Sequence, residues 1–148
     1  MPITTTIDHT HGLIFATTGP VVSDHDWLWL QAALRSLADS GLAFDHLVDL
    51  RPVEDCRLSP NVIRLSAKKP ALAPDSRQAF VAGDNLTYGM CRMYEILSAS
   101  RSLKIEVFRD MRSAQEWLGL AAPPQPQLAD SKTGAHHCAD IRSLSRLV

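Results

Sequence analysis

Two short runs near the amino terminus, Ile3 to Ile7 and Leu13 to Thr18, have β-type composition, and the polar, Gly-containing segment Asp8-His9-Thr10-His11-Gly12 between them predicts a hairpin. After Gly19-Pro20 the period changes. Trp27, Leu30, Leu34 and Leu37 recur at helical spacing, Ser23 stands where an N-cap belongs with Asp26 three residues on, and Gly41 stands at the carboxyl-terminal cap. Phe44 to Leu50 is a short apolar-rich run between two helices, which predicts a central parallel strand ending at Arg51-Pro52. Ser59-Pro60 opens a second helix, closed near Lys68-Lys69 before Pro70. Arg77 to Ala82 is the next strand, and Asp84 caps a third helix with Leu86, Met90, Met93 and Leu97 on one face, predicted to be buried. Lys104 to Arg109 reads as an outer strand, and Asp110 caps a last short helix ending at Gly119.

The order ββαβαβαβα predicts an α/β domain with a mostly parallel sheet to which the hairpin adds antiparallel pairing. From Ala121 the periodicity stops and three prolines fall within four residues, so the domain is expected to span 1–120 and residues 121–148 to form a mobile or weakly docked tail. Ile141, Leu144 and Leu147 give that tail one short amphipathic stretch that would need a docking surface.

Composition narrows the function classes. The 148 residues carry 15 Lys+Arg against 16 Asp+Glu, so no broad positive field favours nucleic acid or a membrane surface. Cys56, Cys91 and Cys138 are odd in number and far apart, which fits a reducing, cytoplasmic compartment better than a disulfide framework. No basic, apolar leader and no run of about 18 apolar residues is present, so membrane insertion is not expected. The common phosphate-loop, dinucleotide, zinc-protease and serine-hydrolase motifs are absent, and the chain is expected not to be an enzyme and to need no cofactor.

Three stretches resemble the SpoIIAA-like (STAS-like) family: Phe44 to Arg51, then Leu86-Thr87-Tyr88-Gly89-Met90-Cys91-Arg92-Met93-Tyr94-Glu95, then Val107 to Asp110 with Ala114 to Leu118 behind it. The resemblance covers about residues 3 to 120 and implies a four- or five-stranded sheet with helices mainly on one face. It also implies a regulatory or protein-binding role of the anti-sigma factor antagonist kind. Those antagonists carry a phosphorylated serine in Asp-Ser-Ser-Gly, and the corresponding positions here are Arg57, Leu58, Ser59 and Pro60. Leucine fills the phosphoacceptor position, Ser59 survives only as the second serine, and its reading as a helix N-cap needs no phosphate.

Asp49 and Arg51 lie at the carboxyl end of a central strand, where open α/β sheets place ligands, although Asp49 can cap neighbouring amides and Arg51 can pair with Glu54 or Asp55. Tyr88, Arg92 and Glu95 share one face of the third helix, where an Arg92–Glu95 contact competes with carboxylate binding. Met90 and Met93 suit either the core or an adaptable apolar pocket, hence a binding module for a small lipid-like ligand as the alternative function. Trp29, rotated roughly 200° from Trp27, is expected to be exposed and to anchor a protein partner or a second copy of the chain. Cys56 near Arg51 and Arg57 is the starting point for a third, enzymatic reading. His9 with His11, and His136-His137-Cys138, are ligand-type residues without a convincing metal set, and no metal site is assigned.

Overall fold

The computed structural model describes residues 3–41, 43–73, 75–99 and 104–120. The expected tail with Ile141, Leu144 and Leu147, and with it Cys138 and the adjacent histidines, lies outside the described residues. Strands β1 (Thr4–Asp8) and β2 (Leu13–Thr17) form the hairpin, closed by Gly12 at φ 59. The helix α1 (Asp24–Asp39) follows, then β4 (Asp45–Asp49), α2 (Pro60–Lys68), β6 (Arg77–Val81), α3 (Asn85–Ser98), β7 (Lys104–Phe108) and α4 (Met111–Trp117). Two strands were not anticipated: β3 (Val21–Ser23) and β5 (Asp55–Arg57), three residues each, pair in parallel as a small separate sheet. They are too short for any alternation to be visible in sequence, and their position is fixed by the Glu54 and Asp55 amides donating to the Pro20 carbonyl at 2.7 and 2.9 Å.

The main sheet has the order β1-β2-β4-β6-β7, antiparallel at the hairpin and parallel elsewhere. Alternation divides its side chains. Ile14, Ala16, Val48, Phe80, Ile105 and Val107 point into the larger core with Trp27, Leu30 and Leu34 of α1, Ile63 of α2 and Cys91 and Tyr94 of α3. Leu13, Leu47, Ala79 and Val81 point the other way, against Ala114 of α4 and the following Leu118. Helices α1 to α3 thus share one face of the sheet and the seven-residue α4 the other, in line with the expectation of helices mainly on one face.

A helix as short as α4 does not persist on propensity alone. Arg77 holds it: the guanidinium donates to the Trp117 carbonyl at 3.0 Å and the Leu118 carbonyl at 2.8 Å while pairing with Asp45 Oδ2 at 2.9 Å. The amino end of α1 is fixed by a capping box in which Ser23 Oγ accepts from the Asp26 amide at 3.3 Å and Asp26 Oδ2 accepts from the Ser23 amide at 2.9 Å. Ser23→Ala is expected to lower unfolding stability by about 1 kcal/mol, read from urea denaturation, with no change in the helical circular dichroism of the native state.

Candidate functional site

The carboxyl ends of β4, β6 and β7 bring together the charged residues singled out in the sequence. The buried Asp49 carboxylate receives the Arg51 guanidinium in a fork, Nε to Oδ1 and Nη2 to Oδ2 both at 2.9 Å, and also the Arg51 amide at 3.0 Å. The expectation that Arg51 pairs with Glu54 or Asp55 is corrected: Asp55 pairs with Arg57 at 2.7 Å, because β5 places these two on the same side of a strand. Donating to Asp49 holds the Arg51 guanidinium still more firmly protonated, and half of the Arg51 side chain remains exposed. The loop at Gly83 runs close to the Arg51 backbone, and a Cβ there would lie 3.9 Å from the Arg51 carbonyl oxygen. On its other side Arg109 donates to the Gly83 carbonyl at 3.1 Å and lays its guanidinium 3.9 Å from the centroid of the Tyr88 ring. That stacking was not foreseen, since Tyr88 and Arg109 belong to different elements and only the topology joins them.

Asp84 caps α3, its Oδ2 accepting from the Thr87 amide at 3.0 Å, so a carboxylate of the chain itself occupies the helix amino terminus. Arg92 and Glu95 form the intrahelical pair, at 2.6 Å. Asp49, Arg51, Asp84 and Arg109 thus each bond to one another, to backbone or to an aromatic face, while Asp84 Oδ1 stays buried without a hydrogen-bond partner. The thiols offer little more: burial pushes the Cys91 thiol up, away from its reactive form, and Cys56 is half-buried on β5. His11 Nδ1 lies 2.7 Å from Asp8 Oδ2 at the hairpin turn, while His9 packs edge-on to Phe44.

The register of α3 differs from the expected one. Its buried residues are Thr87, Met90, Cys91, Tyr94 and Ser98, whereas Leu86 is 58% and Leu97 42% exposed. The helix is turned by about one residue, or 100°, from the apolar stripe. Tyr94 explains the rotation: its ring packs edge-on against both Trp27 and Phe80, at 5.3 and 5.8 Å between centroids, and a large aromatic outweighs two leucines at the ends of the helix. Met90 is buried and Met93 packs against the core from a half-buried position, so both thioethers already have protein neighbours.

Trp29 is corrected in the same way. It is half-buried and packs against the larger core, and the exposed apolar residue at this point of α1 is its neighbour Leu28, at 50%. Ser59 is the N-cap of α2, accepting from the Val62 amide at 3.3 Å, and its own amide donates to Asp24 Oδ1 at 2.7 Å. A phosphate on Ser59 would meet the Asp24 carboxylate, and Leu58, at the phosphoacceptor position, is buried.

No family model and no curated protein matches this chain. Among solved structures, an uncharacterized protein of the DUF3478 family from Shewanella loihica PV-4, described as having a SpoIIAA-like fold, is similar at 18% identity. The likeness covers 78% of this chain and 93% of that one, with a TM-score of 0.49. Among the described residues no helix is long and apolar enough to cross a membrane.

The polar edge and the helical layer thus differ in kind. At the edge, Asp49 and Arg51 pair with each other while Asp84 and Arg109 hold backbone groups. On the helices, large apolar side chains face solvent: Leu65 at 61% and Ile96 at 60% join Leu28, Leu86 and Leu97, and all five sit on α1, α2 or α3.

Proposed function

We propose that this chain is a non-enzymatic regulatory domain that acts by binding another protein through the outer surface of α1, α2 and α3. One observation carries the reading: every large exposed apolar side chain among the described residues lies on this one layer, and none on α4 or the sheet. Scattered surface leucines need no explanation, but their restriction to three neighbouring helices marks an interaction surface. The charged carboxyl edge supports a role without chemistry of its own, because Asp49, Arg51, Asp84 and Arg109 are each engaged in holding loops and helix ends. An antagonist-type phosphoserine switch is not part of this proposal, since leucine stands at the acceptor position and Ser59 serves as a cap.

The test is site-specific photo-crosslinking in the producing cell, with the probe at Leu28, Leu65, Leu86 or Ile96, and at Arg112 on α4 as the control position. Discrete adducts with one protein species are expected from the helical layer and not from Arg112. The triple variant Leu86→Ser, Ile96→Ser, Leu97→Ser should reduce the adducts about tenfold while leaving the melting temperature within a few degrees. Equal adducts from Arg112, or none from any helical position, would end the proposal.

A further inference from the structure

Helix α3 carries two apolar faces. Thr87, Met90, Cys91, Tyr94 and Ser98 turn toward the sheet, while Leu86, Gly89, Met93 and Ile96 follow one another at spacings of three, four and three along a second arc about 80° wide. Leu86, Gly89 and Ile96 are exposed, Met93 is half-buried, and the exposed Leu97 borders the arc. No charge lies on it. The charged residues of α3 are Arg92 and Glu95, of opposite sign and paired with each other at 2.6 Å, so this face offers nothing to a charged partner.

Gly89 is the residue of this face that the fold itself does not account for. It lies inside a 14-residue helix with ordinary helical backbone, where glycine is disfavoured relative to alanine because it leaves the unfolded chain freer. Among the described residues a Cβ at Gly89 would meet nothing within 4 Å, so no neighbour in the chain needs the space. Glycine on an apolar helix face has another use: it lets a second helix approach at the near end of the interaxial range of about 8 to 10 Å. A gap in the middle of an apolar arc takes a long, flexible side chain, and the arc itself carries one in Met93.

We propose that α3 packs antiparallel against α3 of a second copy of this chain, with Met93 of each protomer seated over Gly89 of the other. Spacings of three, four and three read the same in both directions, so the register that puts Met93 on Gly89 also puts Leu86 on Ile96, and a single two-fold axis fills every place on both arcs. Charge agrees with this. Each α3 is neutral overall, each Arg92 enters with its own Glu95, and the two helix dipoles oppose each other. A helix of another protein would have to reproduce both the side chain over Gly89 and the lack of charge, which a second copy does by construction. This rests on the reading of the helical layer as an interaction surface and names the partner at α3, leaving Leu28 on α1 free for other associations. A helix of this length is about 21 Å long and 10 Å wide, and one such pair covers less than the roughly 600 Å² per partner of a stable interface, so the dimer is weak and reversible.

The experiment is analytical ultracentrifugation of the whole chain from about 10 to about 500 µM, with thermal melting at the dilute end. The mass is expected to rise from monomer toward dimer across this range. Gly89→Ala should move the two readouts in opposite senses: the melting temperature of the dilute monomer rises by about 3 °C, as helix propensity alone dictates, while the dissociation constant of the dimer increases about tenfold. Ile96→Asp should remove the dimer altogether, and Leu28→Ser should leave it unchanged. A monomer at every concentration, or a dimer that Gly89→Ala leaves intact or strengthens, overturns the proposal. Loss of the dimer in Leu28→Ser with none in Ile96→Asp overturns it as well, since the contact then lies on α1. The broader reading is decided separately by its crosslinks, because an adduct of Leu86 or Ile96 with a different protein satisfies that reading and not this one.

Discussion

Trp27→Ala is expected to lower the unfolding free energy by about 3 to 5 kcal/mol, a large part of the roughly 5 to 15 kcal/mol of an ordinary domain. Trp27 is 1% exposed and closes an aromatic triangle across three elements. Its ring stacks on Phe80 of β6 at 5.7 Å and 20° and meets Tyr94 of α3 edge-on at 5.3 Å, while Phe80 and Tyr94 meet each other at 5.8 Å. Its indole also donates to Ser66 Oγ, which ties α1 to α2. Alanine therefore leaves a cavity where all three helices of the layer meet β6, with Ser66 left without its donor. The melting temperature should fall by about 10 °C. Trp27→Phe, which keeps most of the apolar volume and loses the hydrogen bond, should cost about 1 to 2 kcal/mol. A loss below about 1 kcal/mol for the alanine variant in urea denaturation would mean that the triangle is not the keystone of the layer.

The same triangle explains where the sequence could be read and where it could not. Trp27, Leu30, Leu34 and Leu37 are all buried in the larger core, because the apolar stripe of α1 has no competing anchor. In α3 two patterns overlap, Leu86-Met90-Met93-Leu97 and Thr87-Cys91-Tyr94-Ser98, and the first is the more hydrophobic by composition. The second is the one that faces the sheet, because Tyr94 fits against Trp27 and Phe80, a contact between residues far apart in sequence. Caps were legible throughout, as Ser23, Ser59, Asp84 and Asp110 each act on an amide three residues on. The small sheet of β3 and β5 was not, since three-residue strands carry no period.

The candidate site divides along the same line. Arg92 with Glu95, one turn apart on α3, could be weighed from spacing alone, whereas Arg51, expected to pair with Glu54 or Asp55, pairs with Asp49 instead. The stacking of Arg109 on Tyr88 and the meeting of Arg35 with Lys69 depend on which strands and helices become neighbours. The exposure of Leu28 in place of Trp29 turned on a rotation of less than one helical turn, finer than an apolar pattern resolves when two adjacent residues are both large.

Acidification from pH 6.5 to 4 is expected to remove up to roughly 3 kcal/mol of stability through a single residue, His46. His46 lies on β4 facing the larger core, 2% exposed, with Nδ1 3.1 Å from Gln78 Nε2 on the paired strand β6. Burial pushes its pKa down from 6.5 to about 4, against a smaller upward pull from the neighbouring Asp45 carboxylate. The unfolded chain takes up this proton near pH 6.5 and the folded chain only near pH 4, so the stabilisation is complete above 6.5 and is lost as pH falls through that window. Carboxylates act lower on the scale. Asp110 is held below its ordinary 3.8 by the Ser113 amide and hydroxyl, and its contribution disappears only as pH falls below that value. The two windows hardly overlap. Urea denaturation at pH 7, 6, 5 and 4.5 should therefore show the native chain losing stability well before the contribution of Asp110 is touched. His46→Gln, neutral at every pH, should give a nearly flat profile over the same range from a lower starting point. Parallel profiles for the two proteins would show that His46 takes up its proton in the folded state without penalty, and that the strand pair β4–β6 tolerates a charge in its core.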